Sequence, residues 1–165
     1  MTPDQLVEIE LIKQLKYKYM RCLDQKRWAE LAEVFTADAT AAYSGGKYSY
    51  EGRDAILEFL SSSMGADTFH SSHHVHNPEI RLTSKSTATG TWALQDVVID
   101  LKWEITIRGA AFYNDEYAKR DGLWRICHTG YRRVYEEMES RKDKPDLKLT
   151  ASWWQSDGQA GRGRS

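Results

Sequence analysis

Apolar residues recur at steps of three and four along the first segment of the chain, from Asp4 to about Leu23. This spacing predicts an amphipathic helix, whose start Thr2 or Asp4 can cap. The apolar stripe consists of Ile9, Ile12, Leu15, Tyr19 and Leu23. Similar patterns predict a short second helix over residues 27–35 and a third helix that begins after Gly52.

Strand patterns occupy most of the remaining sequence. Residues 39–52 predict two short strands around the turn Ser44-Gly45-Gly46. Longer segments with strand character follow at about 74–83, 87–99, 103–118 and 123–135, and they are long enough for a strongly bent antiparallel sheet. Because the helices come first and the long strands follow in one run, the sequence predicts an α+β fold and not a doubly wound one.

Composition limits the class of protein. The chain has 165 residues, of which 41% are hydrophobic and 28% charged, and this is typical of one globular domain. A net charge of -1 argues against a nucleic-acid partner, and no apolar run approaches the roughly 20 residues of a membrane span. The acidic start is unlike a signal peptide. Two cysteines in unrelated contexts indicate reduced thiols and a cytoplasmic location, although they could form one bridge.

The last part of the chain differs from the rest. We expect residues 1–138 to form the domain and residues 139–165 to form an extension that is partly flexible. A mixed charge run with a proline opens this extension, and glycines are frequent at its end, where we expect mobility. Between them, Trp153 and Trp154 are too apolar for free solvent, so we expect them to pack on the domain or on a neighbouring subunit.

Asp24 is the first candidate for chemistry, at the junction of the first two helices. Tyr19 lies on the apolar stripe, so its hydroxyl needs an interior partner. A step of five residues turns about 140° on a continuous helix, so Asp24 points inward only if the helix ends near Leu23. The alternative is that Asp24 caps the second helix.

A histidine cluster forms the second candidate, in the segment from His73 to Pro78. Strand alternation places His74 and His76 on one face and His73 on the other, but a bulge at Pro78 would reset this phase. A histidine in a cavity is a natural proton carrier, whereas the alternatives are a polar rim, satisfied core histidines or a metal site. Because no neighbouring acid or cysteine completes a ligand set, we expect no metal.

Asp96 is the third candidate, because it shares a strand phase with Trp92, Leu94 and Val98. An unpaired carboxylate among buried apolar side chains is costly, so Asp96 should find a donor or line a wet cavity. The alternative is an exposed Asp96 whose strand has its core on the other face. Arg132 and Arg133 fall on opposite faces of the last strand. A surface role is the simpler interpretation for both, although an inward arginine could orient an acid or bind an anionic group.

The chain has no nucleotide-binding, nucleophilic-serine or paired-cysteine motif. It does contain a series of short motifs, at 17–39, 51–56, 73–78, 90–96, 113–117 and 121–126. In order and spacing these motifs resemble the SnoaL-like proteins of the nuclear transport factor 2-like superfamily, over about residues 5–135. The resemblance implies a cone-shaped α+β barrel in which a bent antiparallel sheet wraps around three N-terminal helices.

Within that superfamily the chain is similar to bile acid 7α-dehydratases, scytalone dehydratases and hexachlorocyclohexane dehydrochlorinases. The resemblance implies catalytic roles for Tyr19, Asp24, His73 and Asp96. The family register favours His73, whereas plain alternation favours His74. Tyr43, Met64 and Tyr113 are core or cavity wall on sequence alone. The residues that we expect to bind substrate are Tyr43, Met64, His74, Trp92, Tyr113, His128 and Arg133.

The implied activity is a β-elimination, without a cofactor, on a hydrophobic ring-containing small molecule such as a steroid or another polycycle. Related dehydratases imply a homo-oligomer, with a trimer favoured over a dimer, and a small-molecule substrate as the other partner. Two alternatives stay open, an isomerase of the ketosteroid type and a non-catalytic binding or assembly domain like the β subunits of ring-hydroxylating dioxygenases. An intact set of four catalytic residues argues against a scaffold.

Overall fold

The computed structural model of the chain describes residues 1–160. Three helices and six strands follow one another in the predicted order, with one turn of 3-10 helix at Ser44–Gly46. The helices are α1 (Pro3–Asp24), α2 (Trp28–Ala32) and α3 (Arg53–Met64). The strands are β1 (Phe35–Tyr43), β2 (Tyr48–Glu51), β3 (Phe69–Leu82), β4 (Thr87–Asp100), β5 (Ile105–Arg120) and β6 (Leu123–Ser140).

The first helix has well-defined ends. Thr2 caps α1 through a capping box, in which its hydroxyl accepts from Gln5 N at 3.3 Å and the Gln5 side chain accepts from Thr2 N at 2.9 Å. Asp24 is the last helical residue, and Lys26 then adopts a positive φ of 54° as the chain turns toward α2. The helix therefore ends just after Leu23, as an inward-pointing Asp24 requires. The second helix is shorter than predicted, because Phe35 already belongs to β1.

The six strands form one curved sheet in the order β2-β1-β6-β5-β4-β3. Four of the five pairings between these strands, within residues 1–160, are antiparallel, and β1 runs parallel to β6. The sheet does not close into a barrel. The predicted α+β class with a bent sheet and three helices is confirmed. The parallel contact of β1 with β6 departs from the expectation of a purely antiparallel sheet.

A bulge in β3 decides which histidines face the core. Between His76 and Glu79 the register with β4 advances by one extra residue on β3, and Asn77 adopts a positive φ of 48°. The extra residue shifts the alternation of side chains by one position. His73 therefore lies on the same face as Ile80 and Leu82, although strict alternation would place it on the opposite face. Plain alternation was therefore wrong here, and the possibility of a bulge beside Pro78 is confirmed.

The face of the sheet that packs against α1 is called the inner face, and the opposite one the outer face. On the inner face the side chains form rows across the strands, because residues directly opposite each other on paired strands share a face. The first row holds His73, Asp96 and Gly109. The next rows, in order toward the start of β4, are Val75-Leu94-Ala111, Trp92-Tyr113-Tyr131 and Gly90-Asp115-Thr129.

The C-terminal extension begins after β6, which continues to Ser140 and so passes the expected boundary by two residues. Ser152 is buried, and its hydroxyl lies 2.8 Å from His70 Nε2 at the start of β3. Trp154 covers the Lys26 ammonium at 4.2 Å, so this tryptophan packs back on the domain, whereas Trp153 is exposed. The predicted mobile end begins at Gly158, and its residues 161–165 lie outside the described residues. No helix in the described part of the chain is long and apolar enough to cross a membrane.

Candidate active site

Asp24 accepts three hydrogen bonds from β3. The Ser71 hydroxyl and the His73 ring donate to Oδ1 at 2.8 and 2.6 Å, and the His73 backbone N–H donates to Oδ2 at 2.9 Å. A carboxylate with three donors is fixed in position, and it joins the end of α1 to the sheet. Asp24 and His73, to which the family resemblance assigns catalytic roles, are therefore in direct contact.

The position of Asp24 also determines which nitrogen of His73 can act. Because a carboxylate accepts, Nδ1 of His73 carries the hydrogen of the 2.6 Å contact, and Nε2 is left as the basic nitrogen. The His73 side chain is 9% exposed and that of Asp24 is 23% exposed, so the pair lies in a wall that a ligand can reach. An imidazole held in one tautomer by a carboxylate is an arrangement suited to general-base chemistry.

Asp96 lies beside His73 on the inner face and pairs with Arg133. Two guanidinium nitrogens, Nη1 and Nη2, donate to its two oxygens, the latter at 2.9 Å. Burial disfavours the Arg133 charge, but the hydrogen bonds and the charge of Asp96 outweigh that effect and hold the pKa of Arg133 above its ordinary value. Both residues belong to the inner face, so the expectation of an inward carboxylate with a donor is confirmed.

Gly109 makes this ion pair possible. Gly109 on β5 lies directly opposite Asp96 on β4, and the Arg133 guanidinium lies over it. A Cβ at this position would lie 2.6 Å from Arg133 Nη1, which is closer than real contacts allow. The missing side chain therefore lets Arg133 reach from the next row to Asp96.

Three tyrosine rings lie deeper in the fold. Tyr19, Tyr43 and Tyr113 are each at most 3% exposed, and the Tyr19 and Tyr43 hydroxyls are 3.2 Å apart. Burial raises the pKa of all three well above the ordinary value, so they remain protonated donors. Edge contacts hold the Tyr19 ring against Phe35 and Tyr113. These hydroxyls are hydrogen-bond donors within the buried aromatic interior.

A family comparison agrees with this geometry. The model of the SnoaL-like domain matches residues 4–130, which is most of the chain. The chain belongs to the SnoaL-like domain family. The matched range includes α1, β3 and β4, which carry Tyr19, Asp24, His73 and Asp96, but it ends before Arg133.

Solved structures share the fold of this SnoaL-like domain. A protein of Novosphingobium aromaticivorans, whose assignment as a scytalone dehydratase is provisional, is 25% identical with a TM-score of 0.77, over 98% of this chain and 100% of its own. A hexachlorocyclohexane dehydrochlorinase (LinA) of type 2 is 20% identical with a TM-score of 0.76, and the match covers 87% of this chain and 98% of the dehydrochlorinase. A second N. aromaticivorans protein, provisionally assigned as an aromatic ring hydroxylase, is 18% identical with a TM-score of 0.74, and the match covers 84% of this chain and 95% of that protein.

Two residues that we expected to bind substrate lie elsewhere in the SnoaL-like domain. His74 is exposed on the outer face, where its Nε2 lies 2.9 Å from the Ser72 hydroxyl and its ring stacks on His76. His128 also points outward, and its Nδ1 lies 2.7 Å from the Thr40 hydroxyl. Both expectations were wrong, because neighbours of an inward residue on a strand point to the other face.

The other expected side chains fall on the inner side. Trp92 is fully buried and donates from Nε1 to the Tyr117 hydroxyl at 2.9 Å. Met64 ends α3 and packs against the core while remaining partly exposed. Tyr43 stacks on Phe59 of α3. Their roles in binding stay predictions.

Sequence reasoning missed several residues that shape this site. Ser71 gave no signal except its distance of two positions from His73 on the same strand face. Gly109 interrupts an apolar strand, which is a known sign of a close approach. Lys16 was the strongest missed signal, because it lies four positions after Ile12 on the buried side of α1, where a charge requires a partner.

Among the clefts within residues 1–160, one of about 490 Å³ lies between the start of α1 and residues 82–85, and one of about 290 Å³ has His74 and Asp96 in its lining. Neither of these two clefts is lined by Asp24 or His73. The hydrogen-bonded pair of Asp24 and His73, and not a cleft volume, therefore identifies the candidate site. Within those residues, no group of three or more histidine, cysteine or acidic side chains is arranged to hold a metal ion.

Proposed function

We propose that this SnoaL-like domain is a lyase that works without a cofactor and dehydrates a hydrophobic, ring-containing small molecule by β-elimination. The hydrogen bond between Asp24 Oδ1 and His73 Nδ1 is the observation that carries this proposal. It leaves Nε2 of His73 as a base at the partly exposed edge of an aromatic interior. The provisional scytalone dehydratase and the dehydrochlorinase, both with the same fold, are named for eliminations and support this class of reaction.

The first proposed step is proton removal. Nε2 of His73 takes a proton from a carbon next to an activating carbonyl, and the electron pair moves toward the carbonyl oxygen. Asp24 keeps the tautomer and stabilises the imidazolium that forms, since its charge is 2.6 Å from Nδ1. A positioned base of this kind contributes about 10²–10⁴-fold to the rate.

The second step is loss of the leaving group. The carbon–oxygen bond breaks, the double bond forms, and the departing hydroxyl takes the proton from the His73 imidazolium and leaves as water. Asp96 lies directly opposite His73 in the β3–β4 register, and its two oxygens are held by Arg133. In this position its charge supports the imidazolium and orients the proton toward the leaving oxygen.

The experiment measures proton removal separately from elimination. A panel of cyclic ketones and β-hydroxy ketones, including steroids, is incubated with the protein in D₂O, and NMR follows both deuterium at the α-carbon and formation of the enone. We expect exchange and elimination with at least one ring ketone. Asp24→Asn and His73→Gln should each lower both rates by about 10²-fold or more.

His74→Gln is the matched control, because His74 is the neighbouring histidine on the outer face, and it should keep full activity. Exchange with formation of a shifted double bond and no loss of water would favour the isomerase. Binding of ring compounds without exchange would reject the enzyme and favour a binding domain. Loss of activity on chelation, restored by one divalent ion, would contradict the proposed chemistry.

A further inference from the structure

Lys16 is buried completely inside the domain. Its side chain is 0% exposed, and Nζ lies 2.7 Å from Oδ2 of Asp115, whose side chain is also 0% exposed. Burial lowers the pKa of Lys16, and the charge and hydrogen bond of Asp115 oppose that effect. A buried ion pair adds little net stability compared with apolar side chains of the same volume, so its presence suggests a further role.

The carboxylate of this pair is anchored by the sheet. The Thr129 hydroxyl donates to Asp115 Oδ1 at 2.7 Å, and the Tyr117 hydroxyl donates to Oδ2 at 2.8 Å. Trp92 Nε1 in turn donates to the Tyr117 hydroxyl at 2.9 Å. Asp115 is therefore fixed as the negative end of the pair by Thr129 of β6 and by Tyr117 of its own strand, β5.

The ammonium contacts two of the three buried tyrosines. Lys16 Nζ is 3.6 Å from the centre of the Tyr113 ring and 4.7 Å from that of Tyr19. The positive end of the pair therefore contacts the rings whose hydroxyls form the buried cluster. At 3.2 Å, the contact between the Tyr19 and Tyr43 hydroxyls is long for an O–H···O bond, so the two hydroxyls bind each other only weakly.

We propose that the Lys16–Asp115 pair is a positioning device that prepares the tyrosine cluster for a substrate oxygen with developing negative charge. A cation against a ring withdraws electron density and makes the hydroxyl of that ring a better donor. The ammonium in contact with the rings favours negative charge on the tyrosine side without reorganisation during the reaction, and it acts against the Asp115 charge, which raises the pKa of the same tyrosines. This inference rests on the proposed function and refines it, because it assigns the cluster to the carbonyl and not to the leaving group.

The assignment restricts the substrate. The carbonyl oxygen lies at Tyr19 and the acidic C–H at His73, and these positions are separated along the inner face. From Asp96, which is opposite His73, to Trp92, which is opposite Tyr113, β4 advances four residues, or roughly 13 Å of backbone. Long tyrosine side chains shorten this gap, and a ketone or enone on a fused ring system fits it. A chlorinated alkane without a carbonyl does not use the cluster.

The test uses 2-naphthol, a ring compound whose neutral and ionised forms differ in absorption. Its ionised fraction when bound reports how well the site stabilises an anionic oxygen, and no proton removal by His73 is needed. We expect the unaltered protein to bind 2-naphthol partly as the naphtholate at neutral pH. The double variant Lys16→Met/Asp115→Asn, which removes both charges together, should lower the ratio of ionised to neutral ligand about tenfold.

A thermal melt separates this effect from loss of structure. If Lys16→Met/Asp115→Asn gives no cooperative melt, Lys16→Gln/Asp115→Asn repeats the measurement with a pair that can still form a hydrogen bond. Tyr19→Phe should lower the ionised fraction in the same way, since it removes one donor and keeps the ring. Equal ionisation in the unaltered protein and a folded double variant, no bound naphtholate, or failure of both double variants to fold would each overturn the proposal.

His73→Gln distinguishes this inference from the proposed function. It should abolish exchange of α-protons in D₂O and leave the ionised fraction of bound 2-naphthol unchanged. A charge-dependent naphtholate site with no exchange activity would support the role of Lys16 and reject the lyase. Exchange activity together with naphtholate binding that does not depend on Lys16 would support the lyase and reject the role of Lys16.

Discussion

Asp24 ends a helix and orients a histidine with the same carboxylate. Asp24 does not cap the second helix, because Arg27 occupies the capping position of α2 and makes no side-chain hydrogen bond there. Its carboxylate instead accepts hydrogen bonds from three donors on β3. The choice between cap and site residue depended on where α1 ends, and the end of a helix is set by contacts that lie outside it.

Asp96→Asn tests the residue beside His73. Asparagine keeps the shape of the side chain and can still accept from Arg133, but it removes the charge next to the imidazolium. We expect turnover to fall by about tenfold or more, with a loss of unfolding free energy of about 1–3 kcal/mol from the weakened bond to Arg133. Steady-state kinetics beside a urea melt measures both.

Arg133→Lys is the companion variant, because it keeps the positive charge and loses the two-pronged contact. If Asp96 acts on the reaction, this substitution should affect turnover less than Asp96→Asn does. Unchanged turnover in Asp96→Asn would reduce the ion pair to a structural link between β4 and β6.

At the scale of elements, α1 is attached to the sheet at both ends. Asp24 joins its last turn to β3, while Glu8 in its second turn accepts from Lys119 of β5 at 2.8 Å and from Trp124 Nε1 of β6 at 2.6 Å. Between these attachments the buried stripe of Ile12, Lys16 and Tyr19 crosses the inner face. The helix therefore sets the distance between the tyrosine cluster and the acid–base pair.

Glu8→Gln tests this attachment through pH. The hydrogen bonds from Lys119 and Trp124 hold the pKa of Glu8 below its ordinary value of 4.5, so its stabilising effect is present above that pH and is lost as the pH falls through the lowered pKa. The unaltered protein should lose melting temperature faster than Glu8→Gln does when the pH is lowered from 6 to 3. Differential scanning calorimetry across that range measures the difference, and parallel curves would show that Glu8 does not hold the helix.

For the whole molecule, the outer face carries apolar side chains without a partner among the described residues. Val97, Phe112 and Tyr135 are 38%, 47% and 54% exposed. Exposed apolar groups on one sheet face are typical of a surface that another subunit covers. We propose that copies of the chain associate through this face, as a trimer in preference to a dimer.

Phe112→Arg should break this association. A charged side chain in the centre of the covered surface would be buried without a counter-ion, so the assembly should dissociate while the fold persists. Light scattering at micromolar concentration measures the mass, and circular dichroism controls for unfolding. A monomer mass for the unaltered protein would reject the assembly.

The sequence by itself determined the order of helices and strands and the α+β class. These depend on the local period of apolar residues. For Asp96 it left an inward and an exposed carboxylate open, and the structure decided for the inward one, which pairs with Arg133. Only the tertiary structure decided which histidine points inward, because the bulge at Asn77 shifts the phase of β3 by one residue. It also decided the partners of Lys16 and Asp24. Asp115 is 99 positions away from the lysine and His73 is 49 positions away from the aspartate, and contacts between such distant residues depend on packing that no local pattern encodes.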